Sequence, residues 1–347
     1  MAELDQMHRA LLEWYAAHAR DLPWRRTKDP YLIWLSEIIL QQTRVEQGLP
    51  YYQRFVQRFP DVEALASAPD SEVMKLWEGL GYYRRAENML RAAREIKEKY
   101  KGRFPSTFDE LIKLPGIGPY TAAAVASFAF NEPVAVTDGN VMRVLSRLTG
   151  KAFPVDHAPG VKQWRAQAQN FLNRQAPALH NQAVMELGAL VCTPQNPSCD
   201  KCPLAAWCTA RRENRTGELP VRKGKKKPGI RSMHYLISVR NGQVALRQRR
   251  GQDIWRRLYE FPLWEGREKG SLRTGKKLKE IFRLKEMPLF LGHTVHLLTH
   301  RKLELYFWYT PEEIPDFPYI PLSQMHELSL PVPLRRAWER WEKQLTG

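Results

Sequence analysis

The stretch LPGIGPYTAA, residues 114–123, restricts the possible fold more than any other part of the sequence. Gly116 and Gly118 are flanked by Pro115 and Pro119, so the stretch can neither continue a helix nor occupy the centre of a sheet. Glycine can take positive φ and leaves its backbone N–H uncovered, while proline fixes φ. We therefore expect a rigid turn with exposed amides, opening directly into an alanine-rich helix over residues 120–130.

The net charge indicates what such a turn would hold. Lys and Arg number 54 against 37 Asp and Glu, which gives a formal charge of +17. An excess of this size favours a polyanionic partner, with nucleic acid ahead of an acidic membrane surface. No apolar run approaches the ~20 residues that span a bilayer, and the first residues, MAELDQMHRA, lack the apolar segment of a signal peptide. We expect a soluble, cytoplasmic protein with no membrane partner.

The pattern of apolar residues divides the chain into two domains joined by a linker. Apolar residues recur three and four apart up to about position 212, which predicts a helical domain over residues 1–212. Residues 213–230 are rich in Lys and Arg and predict an extended basic linker. The segments HYLISVR, QVALRQR and KLELYFWYT alternate with polar turns, so residues 231–347 predict a smaller α+β domain with strands.

All four cysteines fall within one 17-residue segment. Six, two and five residues separate them in the order Cys192, Cys199, Cys202 and Cys208. Two disulfides are possible, but clustering in a chain with no secretory features favours metal binding. Zinc is not excluded by the spacing, although zinc ribbons usually pair two CxxC motifs across a longer gap. One tight loop of four thiolates suits a 4Fe–4S cluster.

Three motifs in one order carry a family resemblance. The cysteine spacing, the LPGIGPYTA turn and the segment TDGNVMRVLSR together resemble the helix–hairpin–helix DNA glycosylases that carry an iron–sulfur cluster. The resemblance covers residues 4–212 and implies a mostly helical fold with a cluster loop. It also implies that Gly116 and Gly118 grip the backbone of one DNA strand, and that the four cysteines hold a 4Fe–4S cluster.

Tyr120 selects a branch of this family. In the bifunctional branch, of the endonuclease III type, a lysine after the hairpin attacks the sugar as an amine nucleophile. This chain has Tyr120 there and no lysine between Lys113 and Lys151, and a phenol cannot form a Schiff base. The sequence is therefore similar to the monofunctional adenine DNA glycosylases of the MutY type. That resemblance implies double-stranded DNA with adenine opposite 8-oxoguanine or guanine as substrate, a monomer, and an abasic product.

Two carboxylates fit this chemistry. Glu37 lies in the helix predicted to start at Asp29 and Pro30, among apolar neighbours that raise a carboxyl pKa. Asp138 precedes a predicted helix, whose N-terminus favours its ionised form. A carboxylic acid paired with a carboxylate is the arrangement that cleaves glycosidic bonds. The resemblance makes Glu37 the acid and Asp138 the stabiliser of the oxocarbenium ion, with Asn140 and Tyr120 orienting them.

The resemblance also implies residues that contact the DNA. Trp24, Arg25 and Gln182 line the adenine pocket, and Gln42 and Tyr82 wedge at the lesion pair. The C-terminal part resembles a Nudix-like module that reads 8-oxoguanine, but GREKGSLRTGKKLKEIF lacks clustered carboxylates for magnesium, which favours binding over hydrolysis. Where the family commonly has Phe-Ser-His, this chain has Leu298, Thr299 and His300.

Two other functions stay open from the sequence. A bifunctional pyrimidine glycosylase–lyase is opposed by Tyr120 and by the C-terminal extension. A non-catalytic iron–sulfur protein that binds DNA is opposed by the presence of both carboxylates.

Overall fold

The computed structural model describes residues 2–224, 229–251, 253–266, 268–298 and 301–346. By backbone contacts the chain forms two compact units, Met1–Ala68 with Asn88–Lys225, and Pro69–Glu87 with Lys226–Gly347. The first is helical and the second combines a sheet with helices. The predicted fold class, a mostly α-helical part followed by a C-terminal α+β part, is confirmed.

The helices up to residue 212 follow the apolar periodicity of the sequence. They are α1 (Ala2–His18), α2 (Pro30–Ile39), α3 (Val45–Arg58), α4 (Val62–Ser67), α5 (Asp70–Trp77), α6 (Arg84–Lys99), α7 (Phe108–Leu111), α8 (Pro119–Phe130), α9 (Gly139–Thr149), α10 (Ala158–Phe171), α11 (Pro177–Leu190) and α12 (Thr209–Arg212). None of the helices in the described ranges is long and apolar enough to cross a membrane.

The predicted helix starts that frame the candidate site are confirmed. Asp29 caps α2 by accepting a hydrogen bond from the Tyr31 backbone N–H, with Pro30 as the first helical residue. Gly118 precedes α8, and Asp138 caps α9. The turn between α7 and α8, followed by the alanine-rich helix, is the predicted hairpin.

The second unit is built on a mixed sheet. Its strands are β1 (Gly229–Arg240), β2 (Gln243–Ala245), β3 (Arg247–Gln248), β4 (Tyr259–Glu260), β5 (Leu263–Glu265), β6 (Leu289–Leu297), β7 (Arg301–Thr310) and β8 (Tyr319–Pro321). The order is β6-β7-β1-β2-β8, with β5 also on β1 and with β3 and β4 forming a separate pair. β1 and β7 run parallel, and the other pairings are antiparallel.

The sheet is covered on its two faces by α14 (Val332–Thr346) and α13 (Leu272–Ile281). Alternate residues of a strand point to opposite faces. Accordingly Tyr235 and its β1 neighbours at 233 and 237 pack with Trp338 of α14, while Leu236 packs with Leu278 of α13. This alternation is what the sequence predicted for HYLISVR.

One predicted strand is interrupted, and a neighbouring aromatic segment contains a turn. QVALRQR is divided between β2 and β3 at Leu246, and WRRLYEFPLWE forms a turn followed by the short strands β4 and β5. The predicted linker packs in part against the first unit, because Leu219 is buried and its carbonyl accepts a hydrogen bond from Arg147. At its other end β1 already begins at Gly229.

Candidate active site

Seven of the predicted site residues line one cavity of the first unit. The cavity has a volume of about 200 Å³, and its walls come from α2, α8, α9, α11 and the segment before α2. The seven residues are Trp24, Arg25, Glu37, Tyr120, Asp138, Asn140 and Gln182. Gln42 is not among the lining residues; it is exposed and adopts a left-handed backbone, with φ of 57°.

Glu37 is the buried carboxyl of this cavity. It lies in the last turn of α2 and is 7% exposed. Tyr120 Oη donates to its Oε2 at 2.6 Å. Burial raises the pKa of Glu37 to about 7, and the charge of Asp138 acts in the same direction, whereas the Tyr120 hydrogen bond and the charge of Arg25 lower it. At neutral pH Glu37 is therefore able to carry a proton and release it.

Asp138 is held by the start of α9. Its Oδ1 accepts from the Val141 backbone N–H at 2.7 Å, and its Oδ2 accepts from Asn140 Nδ2 at 2.8 Å. Removal from water raises its pKa, while these two hydrogen bonds and the charge of Arg143 lower it, and the net direction is upward. The hydrogen bonds at the helix N-terminus thus favour the ionised form of Asp138, and desolvation opposes them.

Trp24 and Gln182 give one part of the cavity wall an aromatic and amide character. Trp24 is buried and its ring meets Tyr52 edge-on at 5.1 Å. Gln182 Oε1 accepts from Tyr15 Oη at 2.7 Å. This contact leaves the amide nitrogen of Gln182 as its remaining donor group for a ligand in the cavity.

The hairpin turn has one glycine that its backbone requires and one that it does not. Gly116 adopts φ of 75°, and a Cβ there would meet Asn88 Cβ at 2.5 Å. Gly118 has φ of −90° and open space where a Cβ would stand. In the described hydrogen-bond network the backbone N–H groups of both glycines have no backbone acceptor. They are free to receive an anion at the start of α8.

The four cysteines surround a second cavity of the same unit. Cys192, Cys199, Cys202 and Cys208 are free thiols, and all four line it. Arg147 donates to the Cys192 sulfur at 3.4 Å. Among the described residues no three His, Cys, Asp or Glu side chains converge on a point that would hold one metal ion. Four thiols that line one cavity fit an iron–sulfur cluster, whose usual ligands are cysteine thiolates.

Comparisons with known proteins agree with this geometry. Residues 35–157 match the HhH-GPD superfamily of base excision DNA repair proteins, 192–208 the iron-sulfur binding domain of endonuclease III, and 234–340 a NUDIX domain. An adenine DNA glycosylase of Buchnera aphidicola subsp. Schizaphis graminum is 31% identical over 95% of this chain and 96% of its own. The chain belongs to the adenine DNA glycosylase family.

Two further similar proteins match about three fifths of this chain. The adenine DNA glycosylase of Homo sapiens is 42% identical over 61% of this chain and 40% of its own length. The solved structure of a thermostable thymine-DNA glycosylase superposes with a TM-score of 0.56 at 29% identity, over 61% of this chain and the whole of that one. The match to the endonuclease III domain also shows that the cofactor of this family member is an iron–sulfur cluster.

The predicted lesion contacts in the second unit are placed only in part. Tyr82 is 47% exposed with φ of 48°, and it lines a cavity of about 540 Å³ together with Leu298. Leu298 is partly buried against the core of the sheet. Thr299 and His300 lie outside the described residues.

The sequence analysis did not predict two buried charged residues at or near this cavity. Arg143, one turn into α9, donates to Asn140 Oδ1 at 2.8 Å and to the carbonyl of Cys192 at 2.7 Å. Glu186 on α11 bonds Arg20 and Arg25. Arg143 lies within the quoted motif TDGNVMRVLSR, but nothing in the local sequence indicates that Glu186 faces the cavity.

Proposed function

We propose that the protein hydrolyses the N-glycosidic bond of adenine paired with 8-oxoguanine or guanine in duplex DNA. The observation that carries the proposal is the buried Glu37–Tyr120 pair in one cavity with the capped Asp138. A protonated carboxyl and a second carboxylate on one cavity match the two-carboxylate chemistry of glycoside cleavage. The family to which the chain belongs agrees with this chemistry.

Glu37 is the general acid. With the adenine flipped out of the duplex and into the cavity, at a cost of a few kcal/mol, Glu37 protonates the purine and makes it a neutral leaving group. Its pKa of about 7 matches this task, since a general acid works best with a pKa near the operating pH. Tyr120 fixes the carboxyl through the 2.6 Å hydrogen bond.

Asp138 stabilises the positive charge that develops on the sugar as the bond breaks. Asn140 and the Val141 backbone N–H fix both of its oxygens, so the carboxylate needs no reorganisation during the reaction. Water then adds to the sugar and leaves an abasic site. Trp24, Arg25 and Gln182 surround the base.

The enzyme is monofunctional in this proposal. Among the described residues that line the cavity there is no lysine, and the position behind the hairpin is Tyr120. Without an amine nucleophile no Schiff base forms and the strand stays uncut. Sodium borohydride should therefore trap no covalent complex with DNA; a trapped complex would favour the glycosylase–lyase alternative.

Backbone contacts come from the hairpin and from the basic surface. The free amides at Gly116 and Gly118 bind a phosphate at the N-terminus of α8, where the helix dipole also favours an anion. With a net charge of +17, binding should weaken steeply with salt. We place the protein in the cytoplasm, bound to DNA as a monomer.

The Nudix-like unit reads the opposite base in this proposal. On α13 the one carboxylate is Glu280, beside Lys276, Lys277 and Lys279, so the helix lacks a cluster of magnesium ligands. Gln42 and Tyr82 wedge at the mispair, and residues 298–300 contact 8-oxoguanine. Leu298 offers a smaller contact than a phenyl ring would.

The cluster is of the 4Fe–4S type and is held by Cys192, Cys199, Cys202 and Cys208. Four thiolates are the usual ligand set of such a cluster, and the four line one cavity. Its contribution is structural, because it fixes the loop that follows α11. The purified protein should contain about four irons per chain, and full activity with stoichiometric zinc in a colourless protein would refute this assignment.

The decisive experiment is a single-turnover assay on duplexes carrying adenine opposite 8-oxoguanine, guanine or thymine. We expect free adenine from the first two and the fastest release opposite 8-oxoguanine. Glu37→Gln supplies the control for chemistry, because it should bind the same duplex and release no base. Binding without adenine release by the wild-type protein would instead support the non-catalytic alternative.

A further inference from the structure

Glu186 has an unusually complete set of partners for a buried carboxylate. It is fully buried on α11, and its two oxygens accept five hydrogen bonds. Three come from Arg20, through its backbone N–H at 2.9 Å, Nε at 2.9 Å and Nη2 at 2.7 Å. Two come from Arg25, through Nη1 at 3.0 Å and Nη2 at 2.7 Å. Bidentate pairing of this kind fixes the plane of both guanidinium groups.

This arrangement needs a reason other than stability. Burying an ionic triad often contributes no more stability than well-packed apolar side chains of similar volume. The triad lies on the wall of the cavity that contains Glu37, and Arg20, Arg25 and Glu186 all line that cavity. Arg25 is also close enough to Glu37 for its charge to be felt there.

We propose that Glu186 is a positioning residue for excision: it holds Arg20 and Arg25 to itself, so that neither guanidinium pairs with Glu37. A guanidinium bonded to Glu37 would hold that carboxyl ionised and remove the proton it must donate. Arg25 Nη1 donates to Glu186 and to the Arg20 carbonyl at 3.0 Å, and its Nη2 donates to Glu186, so both nitrogens already have acceptors other than Glu37. The inference rests on the proposed function of Glu37 as the acid.

The charged and titratable groups around these residues are few. Tyr120 from α8, Asp138 at the start of α9 and Arg25 before α2 face Glu37. Tyr15 from α1 faces the triad, with Arg25 lying 5.7 Å from its ring centre, and Glu46 from α3 acts on Arg20. Burial alone would raise the pKa of Glu186, but the Arg20 and Arg25 hydrogen bonds lower it to about 2, so it stays charged throughout the working range.

The test is the pH profile of single-turnover adenine release in the full-length protein. Glu186→Gln keeps the shape but removes the negative charge that balances Arg25, so the pKa of Glu37 should fall. The falling limb of the profile, where the rate declines as Glu37 loses its proton, should therefore move to lower pH. If the pKa of Glu37 falls by one unit, the rate of adenine release should drop about twofold at pH 6 and about tenfold at pH 8.5. Glu46→Gln is the matched control, since it removes a carboxylate near Arg20 without touching Arg25, and should leave the limb in place.

A second variant should move the falling limb in the opposite direction and leaves Glu186 in place. Arg20→Gln removes a positive charge from a side chain that is 35% exposed, leaves Glu186 bonded to Arg25, and should move the limb to higher pH by a smaller amount. The inference is overturned if either variant slows excision by the same factor at every pH, or if both limbs move the same way. Adenine release by the wild type together with an unmoved limb would reject Glu186 as a positioning residue while leaving the proposed function intact.

Discussion

Glu37 in the helical unit and Glu260 in the Nudix-like unit are equally hidden from water but have different partners. They are 7% and 2% exposed, and burial raises the pKa of both. Glu37 is bonded to a phenol, Tyr120. Glu260 is bonded to Arg249 and lies 3.3 Å from Arg247 Nε, and both cations lower its pKa against the effect of burial.

The difference teaches that burial alone does not make a carboxyl an acid catalyst. The pKa of Glu260 is raised overall as well, but both of its oxygens are bonded to guanidinium groups and are not available to a substrate. In the Nudix-like unit Asp253 and Glu265 are likewise bonded to Arg231. These three carboxyls belong to ion pairs, whereas Glu37 is bonded to a neutral hydroxyl, which supports the proposal that the chemistry takes place in the helical unit.

The largest effect on excision at saturating enzyme is expected from Glu37→Gln. The variant removes the proton donor but keeps the shape, so adenine release should fall by about 10²–10⁴-fold. Binding of the mispaired duplex should stay close to that of wild type. Single-turnover rates and a binding isotherm on the same duplex measure the two quantities.

Glu260→Gln is the matched variant in the other unit. It leaves Arg249 without its buried partner, so the thermal midpoint should drop, because breaking a buried pair typically costs about 3–5 kcal/mol. Excision per folded molecule should be unchanged. Equal losses of excision in the two variants would contradict the distinction between a catalytic Glu37 and a structural Glu260. A rate for Glu37→Gln within tenfold of wild type would rule out Glu37 as the acid.

Asp138→Asn should have the next largest effect. The neutral amide keeps the position at the start of α9 but cannot stabilise the cationic sugar, and loss of one such preorganised group costs about 10²–10³-fold. Asp61→Asn is the control, because Asp61 caps α4 in the same way and lies outside the cavity. If Asp138→Asn excises at the wild-type rate, Asp138 is a helix cap and nothing more.

Tyr120→Phe should change the pH profile more than the maximal rate. The Tyr120 hydrogen bond lowers the pKa of Glu37, so its removal should raise that pKa and move the falling limb above its wild-type position near pH 7. Loss of one hydrogen bond should slow excision at pH 6 by no more than about tenfold.

Tyr31→Phe on the same helix as Glu37 supplies the comparison for this variant. Its hydroxyl donates to the Phe59 carbonyl at 2.7 Å, away from the carboxyls, so it should affect stability alone. A limb that moves to lower pH in Tyr120→Phe would contradict the role given to this hydrogen bond.

Local motifs made most of the helical unit predictable. The hairpin, the Asp29–Pro30 start of α2 and the Asp138 cap depend on residue types next to one another in sequence, and all three are as expected. The sequence predicted the capping role of Asp138 but not its desolvation, which depends on the elements that pack over it. Glu186 was missed for the same reason, since its partners lie more than 160 positions away.

The Nudix-like unit was predictable in its strands but less so in their lengths. KLELYFWYT forms part of β7, as expected. Its alternate residues point to opposite faces of the sheet, and each face packs against a core. WRRLYEFPLWE carries the same aromatic content but is interrupted by Pro262, whose missing N–H cannot donate within a ladder. The segment accordingly forms two short strands, β4 and β5.

The smallest effect on saturated excision is expected from Thr299→Ala with His300→Ala. 8-Oxoguanine differs from guanine by one carbonyl and one N–H on its Hoogsteen side, and a hydroxyl and an imidazole can address both. Each good base contact is worth about 1–3 kcal/mol of discrimination, so the preference for 8-oxoguanine over guanine should shrink. Excision at saturation should change little, because Glu37 and Asp138 belong to the other unit.

Ser323→Ala with His326→Ala makes the same chemical change at two exposed positions of the Nudix-like unit and should leave the preference intact. The ratio of excision rates opposite 8-oxoguanine and guanine, at limiting and at saturating enzyme, distinguishes the two pairs of substitutions. An unchanged ratio after loss of Thr299 and His300 would mean that the lesion is read elsewhere. The difference in catalysis between the two units would then stand, but residues Thr299 and His300 would have no role in telling the two bases apart.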